Sequence, residues 1–196
     1  MRSPILVSVL LCISCGSPST VAPISVPMQY KMMSSPGEFP TLGACAAISD
    51  LRVVDARGDT TLGKRFVEGK NIPSASVTAA SDIAAWARTG VLEELNRAGV
   101  ATGKANAPTL RISIDQINTS ENVLHRAGYE GRLNVSAELI GAGGTACWKD
   151  RSDGFAENYG YAGSVENYQE TLNHALDRAM LRLLNSADFK KAICSC

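Results

Sequence analysis

The sequence lacks an excess of either charge. Its 196 residues contain 19 Lys and Arg against 19 Asp and Glu, and no segment concentrates the basic ones. A nucleic-acid partner requires a basic surface that displaces counterions from the phosphates. We therefore expect no nucleic-acid partner.

The sequence also lacks the residue arrangements that are typical of catalysis. No serine lies in the Gly-x-Ser-x-Gly motif of a nucleophile elbow. Of the two histidines, His174 falls on the polar face of a predicted helix, and His125 falls at the tip of a predicted hairpin. The adjacent Glu93 and Glu94 are interpreted as solvated charges. We expect no catalytic residue, no cofactor and no metal site.

No apolar run near the start of the chain is long enough to cross a bilayer, for which about 20 residues are needed. Residues 4–13 are apolar apart from one serine, Arg2 precedes them, and the small residues 14–16 follow. A basic residue, a short apolar run and small residues, in that order, are typical of a secretory signal peptide. We predict a signal peptide over residues 1–14 that is removed on export.

Cys15 is the predicted lipid attachment site. Residues 11–16 read Leu-Cys-Ile-Ser-Cys-Gly and resemble the bacterial lipobox, in which a small residue precedes a cysteine that receives diacylglycerol and an acyl chain such as palmitate. Cys12 stands where leucine is usual, so ordinary cleavage to a soluble secreted protein is the alternative. Gly16, rather than Asp, resembles the sorting signal for the outer membrane. The resemblance implies a lipoprotein anchored on the periplasmic side of the envelope.

Residues 15–44 predict a lipidated tether. They are rich in Pro and Ser, carry no charge before Lys31, and show no helical or strand periodicity. Chains of this composition behave as coils, and about 25 to 30 such residues span roughly 30 Å. We expect a single periplasmic domain over residues 45–196 that can stand clear of the membrane.

The remainder of the chain predicts an α+β domain. Apolar alternation predicts strands over residues 47–56, 64–68, 110–114, 133–139 and 146–161. Apolar residues at helical spacing predict two amphipathic helices, from Ser81 to Gly99 and from Val165 to Leu184, with a short helical turn over residues 188–193. This order favours a mainly antiparallel sheet of four to five strands with both long helices packed on one face.

Apart from Cys12 and Cys15, the sequence contains four cysteines: Cys45, Cys147, Cys194 and Cys196. In an oxidising periplasm they are disulfide candidates with three possible complete connectivities. Zinc is the alternative, but the spacing disfavours it because there is no second close pair and no histidine near a cysteine.

The predicted path of the chain reduces the number of possible disulfide partners. If the connections are short, Cys147 lies at the same end of the sheet as the C-terminal tail, and Cys45 lies at the opposite end. We therefore predict a disulfide from Cys147 to Cys194 or Cys196, with Cα atoms no more than about 7 Å apart. The same path places the 118–128 hairpin and the 160–163 loop at the end that faces the membrane.

Asp55 and Arg57 form the most distinctive polar pair. They lie where the first predicted strand ends. One interpretation is a recognition site at the loop end of the sheet. The other, which we favour, is a local ion pair that fixes the turn.

Four segments resemble, in order and spacing, the YajG-type envelope lipoprotein family. They are residues 51–57, which read Leu-Arg-Val-Val-Asp-Ala-Arg, and residues 91–100, 110–117 and 132–139. The resemblance continues through the last helix. It implies an envelope lipoprotein with a compact α/β domain and no established enzymatic activity. The longer tether and the additional cysteines depart from the family.

These observations favour two non-catalytic functions. The first is an adaptor or accessory component of an envelope protein assembly, which joins a protein partner or further copies of itself while lipid on Cys15 holds it to the membrane. The second is a carrier or auxiliary lipoprotein that holds a lipid or other apolar ligand between helices and sheet. The second requires an apolar cavity of several hundred cubic ångströms.

Overall fold

The computed structural model describes residues 21–32, 39–67, 73–123 and 127–196. The predicted signal peptide, Cys15 with its lipobox, part of the predicted tether and His125 lie outside the described residues. None of the helices within the described ranges combines the length and the apolar character needed to cross a membrane.

A mixed sheet forms the centre of the fold. In the described residues its strands are β1 Ile24–Val26, β3 Asp50–Asp55, β4 Thr61–Val67, β5 Pro73–Ala79, β7 Thr109–Val123, β8 Ala127–Ile140 and β9 Ala146–Gly160. The order is β1-β5-β4-β7-β8-β9, and β3 also pairs with β7. A separate parallel pair joins β2 Ala47–Ile48 to β6 Ala101–Thr102.

The predicted α+β class is confirmed, but the sheet is mixed rather than mainly antiparallel. The strands β7, β8 and β9 form an antiparallel meander, as expected. In contrast, β3 and β4 both run parallel to β7 along the same edge, with Asp50 opposite Thr109 and Val67 opposite Val123. The turn at Arg57 therefore carries the chain forward along β7 instead of reversing it into a hairpin.

Within the described ranges, three helices cover one face of the sheet: α1 Ile83–Arg97, α2 Val165–Asn185 and α3 Ala187–Ser195. The N-cap of α1 is Asp82, one residue later than predicted, and its carboxylate accepts hydrogen bonds from the backbone N–H groups of Ala84 and Ala85. Ser164 caps α2 in the same way. The apolar face of α2 lies on β8 and β9 because its buried residues recur at helical spacing.

The folded domain begins earlier than the predicted boundary at residue 45. Strand β1 pairs in parallel with β5, and Val26 is completely buried. Met28 and Leu42 are also buried in the core. The composition hid this strand because it is only three residues long and lies between Pro23 and Pro27. Residues 24–28 therefore belong to the domain and not to a tether.

The sheet has two distinct ends. At the entry end, β1 begins level with Thr119 near the end of β7, because Ile24 pairs with Val77, Val77 with Gly63, and Gly63 with Thr119. Gly163 of the 161–164 loop lies beside Ile24. At the cysteine end lie the starts of β3 and β7, the 141–145 turn and the C-terminal helix.

All four cysteines of the domain lie at the cysteine end. Cys147 is bonded to Cys196, with Cα atoms 6.0 Å apart, and Cys45 is bonded to Cys194, with Cα atoms 5.1 Å apart. Cys147 thus pairs with one of its two predicted partners. Placing Cys45 at the opposite end was wrong because β3 begins at the same end of the sheet as β7.

Candidate functional site

A buried acidic residue, Glu121, organises the entry end. The alternation of β7 buries Ile112 and Ile114, and a register irregularity between Ile114 and Gln116 then shifts the phase of the strand by one residue. Ile117 and Glu121 consequently face the helices, and Glu121 is completely buried. A buried carboxylate must be paired and hydrogen-bonded to be tolerated.

Four groups from different parts of the chain surround the Glu121 carboxylate. Arg65 of β4 donates through Nε at 2.5 Å, and the Tyr168 hydroxyl of α2 donates at 2.7 Å. The backbone N–H of Gly163 donates at 2.5 Å, and the Tyr129 hydroxyl lies 3.3 Å away. Burial alone would raise the pKa of Glu121, but the hydrogen bonds from Arg65, Tyr168 and Gly163 outweigh it and lower the pKa below its ordinary value.

The same cluster fixes the loop and the chain start at the entry end. The Nη1 atom of Arg65 donates to the carbonyl oxygen of Ala22 at 2.6 Å. The hydroxyl of Tyr129 donates to the carbonyl oxygen of Tyr161 and accepts from the backbone N–H of Ser164. Residues 22, 161 and 164 are therefore held to one buried network. The sequence analysis missed this network, although the spacing from Ile114 to Ile117 signals the phase shift that buries Glu121.

Two aromatic side chains at the entry end face solvent. Tyr159 is 71% exposed and Tyr161 is 88% exposed, more than the other exposed large hydrophobic residues of the described chain, Met32 and Val54. Tyr159 lies opposite Gly128, one residue before the end of β9, and Tyr161 follows in the loop. The backbone of Tyr161 is fixed by the buried network through its carbonyl oxygen.

The outer face of β7, β8 and β9 is polar and exposed along its length. Its exposed or half-exposed side chains include Arg111, Asp115, Gln116, Arg132, Asn134, Ser136, Glu138, Lys149 and Arg151. Cross-strand pairs order part of this face, with 2.8 Å between Lys149 Nζ and Glu138 Oε1 and 2.8 Å between Asn134 Nδ2 and Gln116 Oε1. Shallow open depressions run along it, lined by charged and amide groups.

A second buried acidic cluster joins α1 to α2. Glu94, interpreted from the sequence as solvated, is completely buried. The Tyr30 hydroxyl lies 3.1 Å from Glu94 Oε1 and 2.8 Å from Asp177 Oδ1. Burial, followed by the neighbouring Asp177, raises the pKa of Glu94. Tyr30 comes from the segment assigned to the tether, so no pattern in the sequence indicated that these groups pair.

Asp55 and Arg57 form a closed local unit. Arg57 Nε and Nη2 donate to the two carboxylate oxygens of Asp55, each at 2.8 Å. Its remaining donors reach the carbonyl oxygens of Thr61 and Asp59. The Arg57 side chain is only 8% exposed. The hydrogen bond from Arg57 lowers the pKa of Asp55. This geometry matches a pair that fixes the turn.

Within the described residues, the structure brings none of the other candidate residues into a cluster. His174 is half-buried on α2. Within residues 21–32, 39–67, 73–123 and 127–196, no group of three or more His, Cys, Asp and Glu side chains is arranged to hold a metal ion.

The fold has counterparts among solved structures. No family model and no curated protein matches the chain. A Xanthomonas campestris protein of the DUF330 family is similar in fold, with a TM-score of 0.51 and 11% identity over 87% of this chain and 95% of that one. A minor lipoprotein from Acinetobacter baumannii has a TM-score of 0.38 and 12% identity, over 78% of this chain and 92% of that one. The resemblance to the YajG-type family stays a prediction from the sequence, and the chain shares its fold with the DUF330 protein.

Proposed function

We propose that this chain is a lipid-anchored, non-catalytic lipoprotein of the cell envelope that acts as an adaptor or accessory component of a protein assembly. Lipid on Cys15 holds it on the periplasmic side of the outer membrane. The observation that carries the adaptor role is the exposed polar face of β7, β8 and β9.

The dimensions of this outer face suit a protein partner. Strands of 14 and 15 residues extend for about 50 Å, and three strands are about 14 Å wide. The resulting area of roughly 700 Å² is close to the ~800 Å² that each partner contributes to a standard interface. Charges of both signs and amide groups line the face, and interfaces between proteins that also exist apart are, as a whole, about as polar as the rest of the protein surface.

The packing of α2 argues against the alternative role as a carrier of an apolar ligand. A Cβ atom built on Gly154 of β9 would lie 1.7 Å from the carbonyl oxygen of Ala175 in α2. One built on Gly131 of β8 would lie 2.9 Å from Thr171 Cγ2. The helix backbone therefore rests directly on the sheet at both places and leaves no space there for an acyl chain.

Site-specific crosslinking in native membranes tests the adaptor role. A photoreactive amino acid replaces Asn134, which is exposed at the middle of the outer face, and a control replaces Arg88, which is exposed on α1. We expect protein crosslinks from position 134 and few from position 88. The absence of protein crosslinks at position 134, or equal yields at both positions, would contradict the proposal. The intact mass of the membrane-extracted chain reports the lipid on Cys15.

A further inference from the structure

We infer that the entry end of the domain lies against the lipid surface that holds the anchor, with Tyr159 and Tyr161 in the headgroup region. The partner is a zwitterionic lipid surface. This inference rests on the proposed lipid attachment at Cys15 and adds an orientation and a contact that the anchor alone does not specify.

The available linker keeps the entry end near the membrane. Because Ile24 already belongs to β1, nine peptide units separate it from Cys15, far fewer than a tether ending at residue 44 would provide. Nine residues span at most about 32 Å when fully extended, and about 17 Å as a flexible coil. Ile24 is level with Thr119, and the start of β7 at the cysteine end is ten residues, or about 34 Å, farther along the sheet. The linker is therefore too short for the cysteine end to reach the membrane as readily as the entry end.

Tyr161 lies near the point where the linker enters. A Cβ atom built on Gly163 would be 3.5 Å from Ile24 Cδ1 and 3.1 Å from Arg65 Nη2. Arg65 also holds the carbonyl oxygen of Ala22. Tyr161 is two residues from Gly163, and its backbone is bonded to Tyr129. Tyr161 and the linker therefore lie at the same end of the domain.

The chemistry of the exposed residues specifies the kind of surface. A tyrosine ring is apolar with a polar tip, and such side chains are enriched where a bilayer meets water. Two of them at one end of the domain can enter the headgroup layer without losing the hydration of their hydroxyl groups. Glu130 and Glu157 are exposed on paired strands next to Tyr159. These two carboxylates disfavour an anionic surface, which attracts basic residues instead.

Fluorescence of tryptophan variants tests this orientation in the full lipidated chain. Tyr161→Trp reports on the entry end, Tyr159→Trp is a second reporter, and Lys104→Trp is the control at an exposed position of the cysteine end. Each protein is reconstituted into vesicles of phosphatidylethanolamine and phosphatidylcholine with or without bromine on the acyl chains. The native Trp86 and Trp148 contribute the same background to all three variants.

We expect brominated lipid to reduce the added fluorescence of Tyr161→Trp at least twofold and to leave that of Lys104→Trp unchanged. If the chain carries its lipid and floats with the vesicles, but neither entry-end reporter is quenched, the membrane contact is overturned and the adaptor proposal stands. Shielding of Tyr161→Trp from aqueous acrylamide without quenching by lipid would assign the tyrosines to a protein contact and also overturn it. If Cys15 carries no lipid, the anchor and the orientation both fail.

Discussion

Gly154 and Ala175 bring the backbone of β9 into direct contact with that of α2. A Cβ atom on Gly154 would lie 1.7 Å from the Ala175 carbonyl oxygen and 2.8 Å from the Ala179 nitrogen. Both are backbone atoms, which cannot turn aside as the end of a side chain can. The absence of a side chain at Gly154 therefore allows α2 to lie this close to the sheet.

We predict that Gly154→Ala lowers the free energy of unfolding by at least about 2 kcal/mol because α2 must move away from the sheet. The control is Gly143→Ala in the 141–145 turn, where an added Cβ atom would meet nothing within 4 Å. This control should change stability by less than about 0.5 kcal/mol. Urea unfolding followed by circular dichroism measures both. Equal losses in the two variants would contradict the close approach.

The two disulfides should differ in how much they stabilise the domain. Cys45 and Cys194 are 149 residues apart, and Cys147 and Cys196 are 49 apart. Loop-closure entropy assigns about 5 and about 4 kcal/mol to bridges of these lengths. We therefore expect paired Cys→Ser variants of the first bridge to lose about 1 kcal/mol more than those of the second, as measured by urea unfolding.

Peptide mapping under non-reducing conditions checks the connectivity itself. Trypsin leaves Cys194 and Cys196 in one peptide, because no Lys or Arg follows Lys191. That peptide should be joined to the peptides of both Cys45 and Cys147, and fragmentation between the two tail cysteines should separate the bridges. Fragments that join Cys45 to Cys196 would show the opposite pairing.

Two ion pairs in and after β3 have the same sequence spacing but differ in burial. Arg57 and Asp55 lie two positions apart in the sequence and are mostly buried. Arg52 and Asp50 have the same spacing but are 69% and 50% exposed. Lysine cannot reproduce the two parallel hydrogen bonds of a guanidinium group. Arg57→Lys should therefore cost about 1 to 2 kcal/mol of folding stability, and Arg52→Lys less than about 0.5 kcal/mol. A wild-type stability for Arg57→Lys would argue that the pair does not fix the turn.

The sequence predicted the parts of the fold in which side-chain periodicity is uninterrupted. The helix α2 carries apolar residues at helical spacing from Tyr168 to Leu184, and β8 alternates from Leu133 to Leu139. In both, burial of one face dictates the pattern over several turns or residue pairs. The antiparallel meander follows from the short turns between consecutive strands.

The direction of β4 and the phase of β7 could not be predicted from side-chain periodicity. Nothing in residues 57–60 reveals that β4 continues along β7, because the direction of β4 is decided by pairing with a strand 56 residues later, as in Gly63 with Thr119, rather than by the turn. The phase shift in β7 places Glu121 in the core, whereas the sequence analysis assigned residue 121 to the 118–128 hairpin. Both entry-end tyrosines were interpreted only as strand or loop residues, since their exposure depends on where the sheet ends.

The lowered pKa of Glu121 makes the entry end sensitive to acid. A carboxyl group whose pKa is lower in the folded state stabilises fully above its ordinary pKa of about 4.3, and this contribution is lost as the pH falls through the folded-state value. Glu121→Gln should lose about 3 kcal/mol at pH 7, because Arg65 remains buried without its counter-charge. It should also lose less stability than the wild type between pH 7 and pH 3.

Glu138→Gln is the matched control for Glu121. Glu138 pairs with Lys149 on the exposed face of the sheet, and this hydrogen bond also lowers the pKa of Glu138. Its loss should cost less than about 1 kcal/mol at pH 7. If Glu121→Gln unfolds with the same stability and the same pH profile as Glu138→Gln, the buried network does not contribute as the geometry indicates.

Glu94 should show the opposite dependence on pH. Burial and the nearby Asp177 raise the pKa of Glu94, against smaller opposing effects of Tyr30 and Arg97. The raised pKa means that the neutral carboxyl favours folding, so this contribution is complete below about pH 4.3 and is lost as the pH rises through the folded-state value. The Tyr30 hydroxyl has one proton, which it can donate to Asp177 while a protonated Glu94 donates to the Tyr30 oxygen.

Glu94→Gln tests this assignment because an amide keeps a donor beside Tyr30 and cannot ionise. We expect the free energy of unfolding of the variant to fall less than that of the wild type between pH 5 and pH 8. The difference between variant and wild type should therefore shift in favour of the variant as the pH rises. Urea unfolding at several pH values measures the difference. Tyr30→Phe removes the shared hydroxyl and should worsen the repulsion between Glu94 and Asp177, steepening the loss of stability with pH. Parallel pH profiles for the wild type and Glu94→Gln would mean that Glu94 ionises normally, and the contact that joins the N-terminal segment to both long helices would then be an ordinary hydrogen bond from Tyr30.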